Sequence, residues 1–126
     1  MPLIRTTPGN PASVASPASG AAPQSIALAV GGTTNIDFSL GEFVVCTFGA
    51  GNCTITFSNI PSGKRVSISI VQDSVGSRTL TWPATAKFAA ATAPTLSTGA
   101  SKRDVINFVG DGTNLYQAST LVADVR

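Results

Sequence analysis

The sequence predicts an all-β chain, an antiparallel β-sandwich or jelly roll of about eight strands preceded by an extended N-terminal arm. Three observations lead there. Within residues 53–88, three short runs alternate apolar side chains with Ser or Thr: Cys53, Ile55 and Phe57; then Val66, Ile68 and Ile70; then Leu80 and Trp82. Period two with one apolar and one hydroxylated face marks strands buried on one side. Asn59-Ile60-Pro61-Ser62-Gly63 and Asp73-Ser74-Val75-Gly76-Ser77 separate those runs with residues that turns use, which predicts a β-meander. Helical periodicity of any length is missing, and no internal repeat is visible.

Residues 1–24 carry five of the prolines along with Ala, Ser and Gly. Such a segment buries too little apolar surface to offset its ordering entropy, so it reads as an arm, with residues 25–126 as the β domain. Leu3, Ile4 and Arg5 are its anchor-like group, expected to dock on a neighbouring subunit. Prolines that preset φ lower the entropy lost in doing so.

Strand signals start at Ser25, with Ile26, Leu28 and Val30 in phase and Gly31-Gly32 ending the run. Residues 34–40 follow, with Ile36, Phe38 and Leu40 expected inward. Residues 42–48 are more continuously apolar, which fits a strand buried on both faces or at an interface, and makes Phe43, Val44 and Val45 candidate subunit contacts. After Trp82-Pro83 the pattern breaks over residues 84–103, read as a long loop over the sheet edge pinned by Phe88 and Leu96. Residues 104–109 resume as a strand, 110–114 turn, 115–119 close, and residues 120–126 form a tail without strong signal.

Cys46 and Cys53 flank Gly49-Ala50-Gly51-Asn52, where a hairpin is expected. The obvious registers set Phe48, not Cys46, opposite Cys53, so two buried free thiols are expected. The Asn52-Cys53-Thr54 sequon reads as a turn entering a strand, since no apolar signal segment opens the chain. An apolar run long enough to span a membrane is also missing, and a cytoplasmic site of synthesis is expected. Charged residues make up 11% and the net charge is +2, with Lys and Arg scattered, which argues against a nucleic-acid footprint. So low a charge suits a surface covered by protein partners.

The order of words along residues 33–118 resembles a small β domain of bacteriophage virion proteins. The pieces are CTITFSNIPSG (53–63), VSISIVQD (66–73), RTLTWP (78–83), APTL (93–96), DVINF (104–108) and DGTNLY (111–116). Where such domains often carry a Trp-Pro-Gly-like segment after the Trp-Pro pair, Lys87-Phe88-Ala89 stands here. Many of them end long fibre polypeptides, whereas a free-standing domain with an arm looks more like a capsid decoration, or cement, protein. The resemblance implies a structural protein of the virion, a homo-trimer whose partners are the major capsid protein or other virion subunits.

Catalysis has little to work with. The sequence holds no histidine, which removes Ser-His and Cys-His nucleophile pairs and His-ligated metals. The carboxylates Asp37, Glu42, Asp73, Asp104, Asp111 and Asp124 are unpaired in sequence, and Gly-x-Ser-x-Gly, Walker and dinucleotide patterns are missing. Asp111-Gly112-Thr113-Asn114 has calcium-loop residue types but lacks the repeated acids and distal Glu, so it reads as a turn. No catalytic residue, metal or cofactor is expected. The rival reading is a tail or head fibre domain that binds host-surface carbohydrate or a receptor, with Trp82 and Tyr116 as aromatic contacts. Trp82 alternates in phase with Leu80, so the core is its expected place.

Overall fold

The computed structural model describes residues 22–125. The arm with Leu3, Ile4 and Arg5 therefore lies outside the described residues, apart from its last three positions. Among the described residues nine strands follow in order: β1 (Gln24–Ala27), β2 (Thr33–Asp37), β3 (Phe43–Thr47), β4 (Cys53–Ser58), β5 (Ser62–Val71), β6 (Leu80–Thr81), β7 (Ala86–Lys87), β8 (Arg103–Asp111) and β9 (Leu115–Gln117). β7 is the addition to the expected set, a two-residue strand within the segment read as loop.

Strands β1, β3, β5, β8, β9 and β7 form a six-stranded sheet in that order, and β2, β4 and β6 form a three-stranded one. Antiparallel pairing was the expectation, and here the structure differs. Only β5–β8 and β8–β9 are antiparallel; β1–β3, β3–β5, β2–β4, β4–β6 and β7–β9 are parallel. The expected meander is absent too, because β4 and β6 belong to one sheet and β5 to the other. Parallel neighbours need a crossover. From β1 to β6 the crossover is the intervening strand of the opposite sheet, so the chain winds as successive coils. The stretch 49–52 is consequently an arch between sheets rather than a hairpin, and Cys53 has no ladder partner on β3.

The arches stack on one another just as the strands do. Leu28 N donates to Thr47 O (2.9 Å), Phe48 N to Val71 O (2.9 Å) and Gln72 N to Lys102 O (2.8 Å), which carries the ladder past the strand ends. Leu28, Phe48 and Gln72 occupy matching places and all turn inward. On the neighbouring side, Gly31 N donates to Asn52 O and Cys53 N to Thr79 O.

Inward residues of both sheets meet in one apolar cluster: Ile36 and Ile55 from the smaller sheet, and Val44, Ile68, Ile106 and Phe108 from the larger, each fully buried. Burial of this kind stabilises by about 1.5–3 kcal/mol per large aliphatic or aromatic side chain. Gly110 is required where β8 passes under the 59–61 arch, since a Cβ there would collide with Pro61 O. Phe38 is buried and stacks edge-on with Phe57 (centroids 5.2 Å), as its phase demands, but Leu40 is exposed rather than inward. A 3-10 turn over Phe38–Leu40 breaks the alternation, nucleated by Asp37 Oδ1, which accepts from Ser39 N (2.9 Å) and Ser39 Oγ (2.6 Å).

Candidate interaction surfaces

The outer face of the six-stranded sheet is built by strand register. Val45, Ser69 and Val105 stand side by side across β3, β5 and β8, and Val122 of the tail extends the row by bridging to Val105. Phe43, Ser67 and Asn107 make a second row, and Arg65, Val109, Tyr116 and Lys87 a third. Phe43, Tyr116 and Val122 are exposed, at 38, 43 and 54%. Ser69 is covered, and its hydroxyl accepts from Arg103 Nη1 (3.1 Å), whose stem lies along the sheet. The expected contact group thus divides. Phe43 and Val45 belong to this outer face, whereas Val44 alternates inward and is wholly buried in the core, which removes it from any surface.

The outer face of the three-stranded sheet is different in kind. Thr33 faces Thr54, Asn35 faces Thr56, Asp37 faces Ser58, and Thr54 faces Thr81. Asn35 Nδ2 donates to Ser58 Oγ (2.8 Å), Thr56 Oγ1 donates to Asn35 Oδ1 (2.9 Å), and Asn59 Nδ2 donates to Asp37 Oδ1 (2.8 Å). Hydrogen bonds from Ser39 Oγ, then Asn59, hold the Asp37 carboxyl below the usual range.

Trp82 packs edge-on against Phe88 (5.3 Å) and tilted against Phe108 (5.8 Å), with Phe88 also edge-on to Phe108. It is only partly buried, and beside it opens a cleft of about 220 Å³ lined by β6 and its approach (Ser77, Thr79, Leu80) and by Pro94, Leu96 and Thr98 of the long loop. Phe88 and Leu96 do pack on the core as pins of that loop. Polar clamps add to them. Buried Asp104 accepts from Ser97 N (2.6 Å), Ser97 Oγ (2.7 Å) and Asp124 N (2.9 Å), tying loop and tail to β8. Buried Gln72 donates to Arg78 O and Ser97 O and accepts from Arg78 N, all at 3.0 Å. Asp73 accepts from Arg78 Nε (3.1 Å) and Nη2 (2.9 Å) and also from Gly76 N (2.7 Å). The Arg78 bond, followed by the Gly76 bond, lowers the Asp73 carboxyl below its ordinary value. Gln-Asp after an apolar run is the one local signal that marks this corner; Asp104 carries none, since its partners are contributed by the fold.

Tyr116 lies on the opposite side of the larger sheet from Trp82. It pairs with Val109, next along the strand from inward Phe108, so the two aromatic candidates do not share a platform. Its hydroxyl donates to Asp111 Oδ2 (2.9 Å), while Asp111 Oδ1 accepts from Asn114 N (2.7 Å) and Thr113 N (2.9 Å). Those backbone bonds, Asn114 first, lower the Asp111 carboxyl. The acid is therefore committed to closing the β8–β9 turn.

Cys46 and Cys53 are free and buried, facing the core from different sheets. Burial, with the neighbouring Cys53 adding to it, pushes the Cys46 thiol up to about 12, which keeps it protonated and unreactive. Among the described residues no group of three or more potential ligands could hold a metal ion, and no helix is long and apolar enough to cross a membrane. Comparison of the chain with protein families, with curated proteins and with solved structures finds no match.

Proposed function

We propose that this protein is a bacteriophage structural protein of β-sandwich type, a capsid decoration or cement protein that binds the outer head shell and stabilises it. Two things support the reading: the ordered words that resemble a virion β domain, and the outer face of the six-stranded sheet. That face carries the reading, because Phe43, Tyr116 and Val122 are exposed on it, with half-buried Val45, Val105 and Val109 between them and Arg65, Lys87 and Arg103 interspersed. Exposed apolar area of this kind marks protein interaction sites. The mechanism is mechanical: burying surface across junctions of major capsid protein subunits favours the assembled state by mass action. A homo-trimer presenting three copies, each with an arm bearing Leu3, Ile4 and Arg5, adds avidity to one lattice.

Co-sedimentation with expanded capsids and a rise in capsid heat resistance are the expected results. A monomer by size measurement at capsid-like concentration overturns the trimer. Localisation to the tail tip by particle imaging, with specific binding in a glycan screen, replaces the reading with the fibre alternative.

A further inference from the structure

Charge is shared unevenly between the two outer faces. The sequence holds six acids, and each has a partner within the domain. Glu42 pairs with Lys64 (3.5 Å), Asp73 with Arg78 (2.9 Å) and Asp124 with Lys102 (2.5 Å). Asp37 accepts from Ser39 and Asn59, buried Asp104 from Ser97, and Asp111 from Tyr116 and its own turn. Among the described residues this leaves Arg65, Lys87 and Arg103 without an acid, and strand register sets all three on the outer face of the six-stranded sheet. Arg103 is half-buried and donates to Ser69 Oγ. Arg65 and Lys87 are exposed, and their side chains have no partner among the described residues. The register puts one acid on the same face, Asp111, and both of its oxygens are taken up by Tyr116 and the β8–β9 turn.

The two exposed cations end a single row. Arg65 stands beside Val109, Val109 beside Tyr116, and Tyr116 beside Lys87. End to end that is three strand spacings, about 14 Å. Between the cations Val109 is half-buried and Tyr116 is 43% exposed. The phenol is held in place, since its hydroxyl donates to Asp111 Oδ2 (2.9 Å), which lowers the entropy lost when a partner covers the ring. Tyr and Arg are also residues that protein interfaces favour. A complementary surface carries two carboxylates about 14 Å apart with an apolar side chain between them, and an extended chain offers this at i, i+2 and i+4, because its side chains recur on one face about every 6.7 Å. A twofold contact with a second copy sets like charges against each other. Nucleic acid is served poorly, because phosphates call for clustered cations and here an apolar and an aromatic residue separate two.

We propose that this row binds an acidic segment of another protein, with one carboxylate at Arg65, another at Lys87 and an apolar side chain over Val109 and Tyr116. That the other protein is a shell subunit rests on the proposed function; the chemistry of the row does not.

The probe is the peptide acetyl-Gly-Glu-Ser-Leu-Ser-Glu-Gly-amide, titrated into the isotope-labelled full chain and followed by the amide NMR spectrum, beside a control peptide with Gln in place of both Glu. Shifts are expected to centre on residues 65, 87, 109 and 116, and the Gln peptide is expected to bind about tenfold more weakly. Arg65→Gln/Lys87→Gln is expected to lose the same factor while its spectrum away from the row stays unchanged, and Arg65→Glu/Lys87→Glu is expected to prefer a peptide with Lys in place of both Glu. Equal binding of the Glu and Gln peptides, shifts centred elsewhere, or no shift at millimolar peptide overturns the proposal. So does tighter binding of an oligothymidylate, which assigns the row to nucleic acid, or self-association of the free chain that the double Gln variant abolishes, which assigns it to a second copy. Peptide binding at the row without co-sedimentation on capsids overturns the shell reading and upholds the row; co-sedimentation that Arg65→Gln/Lys87→Gln leaves unchanged, with equal binding of the two peptides, overturns the row alone.

Discussion

The two outer faces of this molecule both carry hydroxyl and amide side chains, but only one of them carries exposed apolar ones as well. On the three-stranded sheet, Asn35, Thr56 and Ser58 are bonded to one another and Asp37 is held by Ser39 and Asn59. On the six-stranded sheet the polar stripe of Ser67, Asn107 and Ser119 is likewise closed, through bonds of 2.5 and 3.2 Å, but Val45, Val105 and Val122 run beside it with Phe43 and Tyr116 exposed at its margins. Alternation alone does not decide what a face presents to solvent. What matters is whether the outward positions can satisfy each other across the strands, which polar pairs do and valines do not.

The comparison is broken most sharply by charge. If the proposed function holds, Val45→Asp with Val105→Asp is expected to reduce capsid association by at least about a hundredfold, an interface penalty of roughly 3 kcal/mol. Thr33→Asp with Thr54→Asp on the other face is expected to leave association unchanged; co-sedimentation with circular dichroism of the free protein checks both. A smaller effect separates the faces by stability. Asn35→Ala removes two bonds between neighbouring strands and is expected to cost about 1–2 kcal/mol in urea unfolding. Phe43→Ala, on the half-open face, is expected to cost under about 1 kcal/mol in the free protein.

Acid sharpens the difference further. Asp37, Asp73 and Asp111 have carboxyls lowered from 3.8 in the fold, so the stability they contribute is complete above that value and is lost as pH falls below it. Arg78→Met is expected to flatten the acid limb by removing the first cause acting on Asp73, read as a smaller fall in melting temperature between pH 4 and pH 2 than in the unmodified chain. The smallest expected effect lies between the faces. With a folded value of about 12 against 9.0 unfolded, Cys46 contributes stability that is full below pH 9 and declines as pH rises toward 12. Maleimide labelling of Cys46 at pH 8 is accordingly expected to proceed at the rate of unfolding; rapid labelling of the folded chain contradicts its burial.

Much of the burial is legible in the sequence. Period two identifies Ile55, Val66, Ile68 and Ile70 as inward, and Phe88 and Leu96 are read as loop pins. It misplaces Leu40, where Asp37 captures its own backbone and starts a 3-10 turn, and it leaves Val44 among surface candidates because a continuous apolar run hides its phase. The phase of Trp82 points to the core, yet only part of it is covered; the cleft beside it joins residues 77–82 to 93–98, a juxtaposition that no local pattern carries.

By itself, then, the sequence determined many of the inward positions, most of the places where the chain bends, and that histidine chemistry is missing. Tertiary structure alone decided which strand lies beside which. Alternation records that a strand has one wet and one dry face, and a turn word records that the chain reverses; neither states whether the next strand pairs with the last or crosses the core to the opposite sheet. That choice rests on packing between distant residues, such as Gly110 under Pro61 and Phe48 stacked between Leu28 and Gln72, and those contacts exist only once the coils have closed.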